Sequence, residues 1–103
     1  MLYPPLPSRI GKPGTLTQID GKRQHFVVLD EVTQVQSTYS GKVICLQKIR
    51  FDETGVIELR LGYYIIGKKP RMAGKWVWGQ YATLMPIRDF KAILRKATQR
   101  KWI

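Results

Sequence analysis

The sequence predicts an α+β fold: a four-stranded antiparallel β-meander followed by one C-terminal helix, behind an extended Pro/Gly-rich N-terminal arm. Three observations predict it. Apolar residues alternate with period two across the middle of the chain, the period changes to helical spacing after Pro86, and prolines and glycines crowd the first 24 residues.

Residues 1–24 contain Pro4, Pro5, Pro7 and Pro13 together with Gly11, Gly14 and Gly21, which interrupt any regular period. They read as a surface-draped arm carrying Arg9, Lys12, Lys22 and Arg23, with room for one short strand at Thr15–Ile19. Residues 25–103 form the single domain. Its first strand runs from His25 to about Gln34, led by Phe26-Val27-Val28-Leu29. The second spans Lys42–Phe51, where Val43, Cys45, Ile49 and Phe51 alternate with Ile44, Leu46, Lys48 and Arg50. Asp52-Glu53-Thr54-Gly55 then supplies a tight hairpin, since glycine accepts the positive φ such turns demand.

The third strand, Val56–Ile66, has the clearest alternation. Ile57, Leu59, Leu61, Tyr63 and Ile65 share one face, which is expected to lie under the helix. Glu58, Arg60, Gly62 and Tyr64 share the other, expected to be open. A loop from Gly67 to Gly74 leads to a fourth run, Lys75–Leu84. Pro86 suits the start of a helix, and Asp89 places negative charge near its positive end. Ile87, Phe90, Ile93, Leu94 and Ala97 recur at helical spacing, so the helix spans roughly 87–99, with Lys91, Arg95 and Lys96 on its polar side.

Composition narrows the function classes. At 103 residues and 44% hydrophobic content the chain is one domain able to bury a core. The net charge is +11: residues 1–53 hold seven basic and five acidic side chains, residues 54–103 eleven basic and two acidic. Such a field calls for a polyanionic partner, nucleic acid before membrane or acidic protein. No apolar run approaches the roughly 20 residues that cross a bilayer, and the N-terminus lacks the features of a secretory signal. A cytoplasmic place is expected, not a secreted one and without membrane contact, with nucleoid association left open. The one cysteine, Cys45, sits on a strand and reads as a buried structural thiol in a reducing compartment.

The segment Arg60–Tyr81 carries the functional signal. It contains no acidic residue and alternates cations with rings. Lys68, Lys69, Arg71 and Lys75 lie in or beside the loop, and with Lys48, Arg50 and Arg60 they are candidates for neutralising phosphates. Tyr64, sharing a face with Arg60, is the first candidate for stacking unpaired bases. Trp76 and Trp78 are candidates too, balanced between ligand contact and core; Tyr81 closes the segment. Glycines at Gly67 and Gly74 precede lysines, but a strand follows rather than the helix of a nucleotide-binding loop.

From about Ile49 onward the order of features resembles the single-stranded-DNA-binding coactivators of the positive cofactor four family, in its bacterial and phage branch. The residues that carry it are Ile49-Arg50-Phe51, a turn, Val56-Ile57-Glu58-Leu59-Arg60, paired aromatics, a basic glycine-containing loop, then Leu84-Met85-Pro86 opening a helix with Phe90. The resemblance covers about half the chain and rests on short motifs. It implies a four-stranded curved sheet, a helix-mediated homodimer, and unpaired strands held against the sheet, a layout shared by the plant Whirly proteins. The proline leader and the pair Trp76 and Trp78 have no counterpart in that pattern.

Catalysis is not expected. His25 is the only histidine, no metal-binding spacing occurs, and Asp30-Glu31 and Asp52-Glu53 are neighbours that point to opposite faces rather than a carboxylate dyad. A small metal-independent nuclease with His25 as base stays open. No cofactor, metal or small-molecule substrate is expected. The sequence-level reading is a non-catalytic protein that binds single-stranded DNA or RNA with low sequence specificity, as a homodimer, because a lone sheet with one helix leaves an exposed face and open edges. The alternatives are a structured-RNA or ribosome-associated protein, and an interaction subunit with an acidic protein partner.

Overall fold

Four reversals dictate the topology. In the first, Gln18 N–H donates to Lys22 O (2.8 Å); in the second, Gln36 N–H donates to Lys42 O (2.9 Å). In the third, Gly55 N–H donates to Phe51 O (2.9 Å) with Gly55 at φ 71°, the left-handed geometry expected of that hairpin. In the fourth, Gly67 N–H donates to Lys75 O (2.9 Å). The computed structural model describes residues 3–79 and 82–103. Among them are five strands, β1 (Pro13–Thr17), β2 (Arg23–Val35), β3 (Lys42–Phe51), β4 (Ile57–Ile66) and β5 (Trp76–Trp78), and one helix, α1 (Ile87–Gln99). Because each strand folds back on its predecessor, the sheet is antiparallel in the order β1-β2-β3-β4-β5.

The α+β class, the antiparallel sheet and the C-terminal helix stand, but the strand count is five rather than four. The expected arm contains β1, whose Pro13–Thr17 pair with Val27–Arg23 of β2. The stretch before it is also tied down: Gly11 N–H donates to Val28 O (2.7 Å) and Val28 N–H donates to Lys12 O (3.0 Å). Proline and glycine obscured this strand because its pairing is made by backbone groups, with Pro13 at the strand's first residue, where the missing N–H does no harm. The expected fourth run contracts to the three residues of β5, and Gln80 and Tyr81 lie outside the described residues.

The chain divides into two compact units. The hairpin unit comprises Ser8–Glu31 and Gln47–Arg60. Its core is Phe26, Val28, Ile49 and Phe51, with Leu16 packed against it; the Phe26 and Phe51 rings meet edge to face at 6.2 Å. Glu31 ties this unit internally, accepting from Arg9 N–H (3.1 Å) and from the amide of buried Gln47 (3.2 Å).

The helix unit comprises Val32–Leu46 and Leu61–Ile103, with the leader up to Pro7. Ile93 and Ala97 of α1, fully buried, pack on Val32, Ile44 and Leu46, with Met85 and Trp102 alongside. A side chain such as Ile93 contributes about 1.5–3 kcal/mol through that burial. The buried stripe of α1 is Asp89, Ile93 and Ala97 at four-residue spacing; of the expected apolar face, Ile87 and Phe90 stand out to solvent at 74% and 41% exposure. The difference centres on Asp89, read from sequence only as negative charge near the positive end of the helix. Its Oδ2 accepts from Ser37 N–H (2.9 Å) and from Ser37 Oγ–H (3.0 Å), so the first turn of α1 is rotated to bury a carboxylate against the 36–42 reversal. Arg88 Nε–H donates to the same hydroxyl oxygen (2.7 Å).

Candidate nucleic-acid interface

The charge asymmetry seen along the sequence is sharper in space. The helix unit holds eleven basic side chains and one acidic; the hairpin unit holds seven basic and six acidic. The single acid of the helix unit is Asp89, only 2% exposed. Every carboxylate side chain of that unit is therefore withdrawn from its surface, and the unit presents water with a field of one sign.

Of the ten residues singled out from sequence, three lie in the hairpin unit. Lys48 is half-buried and Arg50 exposed on β3, while the Arg60 guanidinium lies 5.3 Å from the Phe26 ring centroid and covers part of that core. The other seven lie in the helix unit. Lys68, Lys69, Arg71 and Lys75 are all exposed in the loop between β4 and β5, closed by Gly74 N–H to Gly67 O (3.1 Å) and Met72 N–H to Lys69 O (2.9 Å). Lys68 Nζ stands 6.0 Å from the centroid of the Tyr39 ring.

The two tyrosines of β4 exchange the roles expected of them. Tyr64 is buried at 5% exposure, its ring edge to face with Trp78 at 5.0 Å, so it is not placed to stack a base. Tyr63 is half-buried and lines a cavity. The cause is β5, which pairs Trp78 with Tyr64 and Trp76 with Ile66 and so lays the Trp78 ring over the Tyr64 side of the strand. On the opposite side of β4, Ile57, Leu59 and Leu61 are exposed rather than covered by the helix.

Two glycines fix this arrangement reciprocally. A side chain on Gly62 of β4 would collide with the Trp78 ring, and one on Gly79, just after β5, would collide with the Tyr63 ring. Trp76 is engaged differently: its indole N–H donates to Pro4 O (2.8 Å), and Tyr3 meets it edge to face at 5.6 Å. Both indoles are half-buried, Trp76 anchored by the leader and Trp78 by Tyr64.

Beside these rings lies a cavity of about 540 Å³ lined by Tyr63, Ile65, Met72, Val77, Lys68 and Lys69, among others. Sequence reasoning placed Tyr63 and Ile65 on the face under the helix and gave Met72 and Val77 no role; the one signal was Met72 inside the basic loop. Lys42 adds a further cation. Its Nζ donates to Leu84 O (2.7 Å) and stands 5.0 Å from the Tyr63 ring centroid, and burial pushes its ammonium below the ordinary lysine value.

His25 is exposed in the hairpin unit, its Nδ1 within 3.2 Å of Thr15 Oγ1. Among the described residues no three His, Cys, Asp or Glu side chains converge to hold a metal ion, and no helix is long and apolar enough to cross a membrane. The Cys45 thiol is buried. The class that the fold defines is α+β, a five-stranded antiparallel meander closed by one helix, and the site within it is a cationic, aromatic-lined surface on the helix unit. Comparison with family models, curated proteins and solved structures finds no match to this chain.

Proposed function

We propose that this chain is a non-catalytic single-stranded nucleic-acid-binding protein, single-stranded DNA first, with low sequence specificity and a cytoplasmic, nucleoid-associated place. The observation that carries the reading is the helix unit's eleven basic residues against one buried acid. A surface of one sign, with loop cations beside a ring-lined cavity, suits a flexible polyanion whose bases are free to turn inward. The resemblance to the positive cofactor four family points the same way. Lys68, Lys69, Arg71 and Lys75 neutralise phosphates, Trp78 and Tyr63 offer partly open rings, and Tyr64 holds Trp78 in place.

Titration of the intrinsic tryptophans with single-stranded and duplex oligonucleotides tests this, since Trp76, Trp78 and Trp102 all belong to the helix unit. Quenching by single strands is expected, with log affinity falling against log salt at a slope of about −3 when four phosphates are neutralised. Absence of binding at low salt sinks the proposal. Equal affinity for duplex RNA turns it toward the structured-RNA reading.

Self-association is a second reading, favoured by one observation: Leu84 (87% exposed), Ile87 and Phe90 form an apolar stripe at the start of α1. A homodimer through this stripe works against the +11 charge of each copy, so added salt strengthens it. Sedimentation at rising salt checks it: a monomer throughout, or a dimer unchanged by Ile87→Asp, overturns it.

A further inference from the structure

We infer that the cavity beside the β4–β5 loop receives one unstacked nucleobase of a bound single strand, with the adjoining phosphate on Lys68 and Lys69; this rests on the nucleic-acid reading above and names where a base goes. The cavity's volume of about 540 Å³ falls within the range of roughly 300–1,000 Å³ typical of sites for small organic groups. Its walls suit a flat, apolar-faced ring: Ile65 and Val77 stand on neighbouring strands directly across from each other, Met72 closes the loop side, and Tyr63 supplies an aromatic surface.

The walls are held rather than collapsible. Tyr63 lies against the Gly79 backbone, where any side chain would displace it, and Lys42 stands over its ring while tied to Leu84 O. The loop is fastened to the strand end by Gly67 N–H to Lys75 O and by Lys75 N–H to Met72 O (3.0 Å). The polarity of the rim decides the occupant. Two lysines and no acid line the cavity, so a ligand combining an aromatic body with a negative charge beside it is matched at both ends, whereas an apolar side chain of a protein partner leaves both lysines unused. Nucleotides of an unpaired strand have that composition at every position, which accounts for a built cavity in a binder of low sequence specificity.

The test uses the full chain and a short thymidine oligonucleotide carrying one central 2-aminopurine. Affinity is read by anisotropy of an end label, and base environment by 2-aminopurine fluorescence. Val77→Phe and Ile65→Phe each fill the cavity from a different strand, with folding of both checked by circular dichroism. The expected result is a clear change of 2-aminopurine emission with the native chain, lost in whichever filling variant folds, together with an affinity loss of about fivefold or more. Native-like affinity and emission change in a folded filling variant overturn the cavity assignment while leaving nucleic-acid binding intact. Absence of strand binding by the native chain at low salt removes both.

Discussion

The two units share strands β2, β3 and β4 yet resemble each other in neither charge nor cover. The hairpin unit is nearly neutral, seven basic against six acidic side chains, and part of its phenylalanine core is covered by the Arg60 guanidinium. The helix unit carries eleven basic side chains against one acid, and its core is closed by α1. A unit that nearly balances its charges leaves little net field at its surface, and within it Glu31 accepts from the Arg9 backbone N–H and the Gln47 amide. One that buries its only acid, Asp89, presents a field of one sign. Charge segregation at this level is a property of the fold, because the chain enters and leaves each unit more than once.

Substitutions that break this contrast differ in size. The largest effect is expected in the hairpin unit: Phe26→Ala should lower the free energy of unfolding by about 4 kcal/mol, read by circular dichroism in denaturant, because it empties the centre of a small core. Asp89→Ala should cost about 2 kcal/mol, since it removes the charged acceptor of two hydrogen bonds from Ser37. A loss under about 0.5 kcal/mol would mean that the buried carboxylate does not hold α1 in place. Lys68→Ala with Lys69→Ala should weaken single-strand binding about 25-fold at about 0.1 M salt and flatten the salt slope by about 1.4, at roughly 0.7 for each phosphate left without its lysine. Lys48→Ala with Arg50→Ala should weaken it by less than the loop pair, a comparison that localises binding to the helix unit. Equal losses would erase the contrast.

The smallest effect concerns Lys42. Burial lowers its pKa in the folded state, so the unfolded chain holds that proton more tightly. The sign follows: the lysine opposes folding while both states are protonated, and stability recovers as pH rises from the folded value toward the ordinary 10.5. Titration of its ε-protons by NMR should show a midpoint below the ordinary 10.5; a midpoint at that value would remove the claim.

Sequence alone carried the helix to its observed limits, because Pro86 and the change of period mark both the start and the type of element. It carried β3 and the 52–55 turn equally well, since alternation and a glycine in a hairpin are local signals. Which face of β4 is covered was not legible. Period two separates Tyr63 from Tyr64 but cannot say which side another element will lie on, and here the covering group is Trp78, from a strand of three residues. The buried stripe of α1 was hidden for a related reason: Asp89 is polar in composition, and only its meeting with Ser37, 52 residues away, makes it interior. The basic loop was legible as charge, while the cavity beside it depends on Ile65 and Val77 being brought opposite one another.

The exchange of rings and glycines between β4 and β5 has an evolutionary consequence. Gly62 and Trp78 form one pair, Gly79 and Tyr63 the other, and in each the empty position on one strand is defined by the bulky position on its neighbour. Neither member can drift alone. In a saturation mutagenesis library the four sites should therefore behave as two linked genotypes: Gly62→Ala or Gly79→Ala is depleted on its own, and recovers when the facing aromatic is replaced by a smaller residue. A lineage of such chains would keep or lose each pair together, leaving a covariation signal between positions 62 and 78 and between 63 and 79.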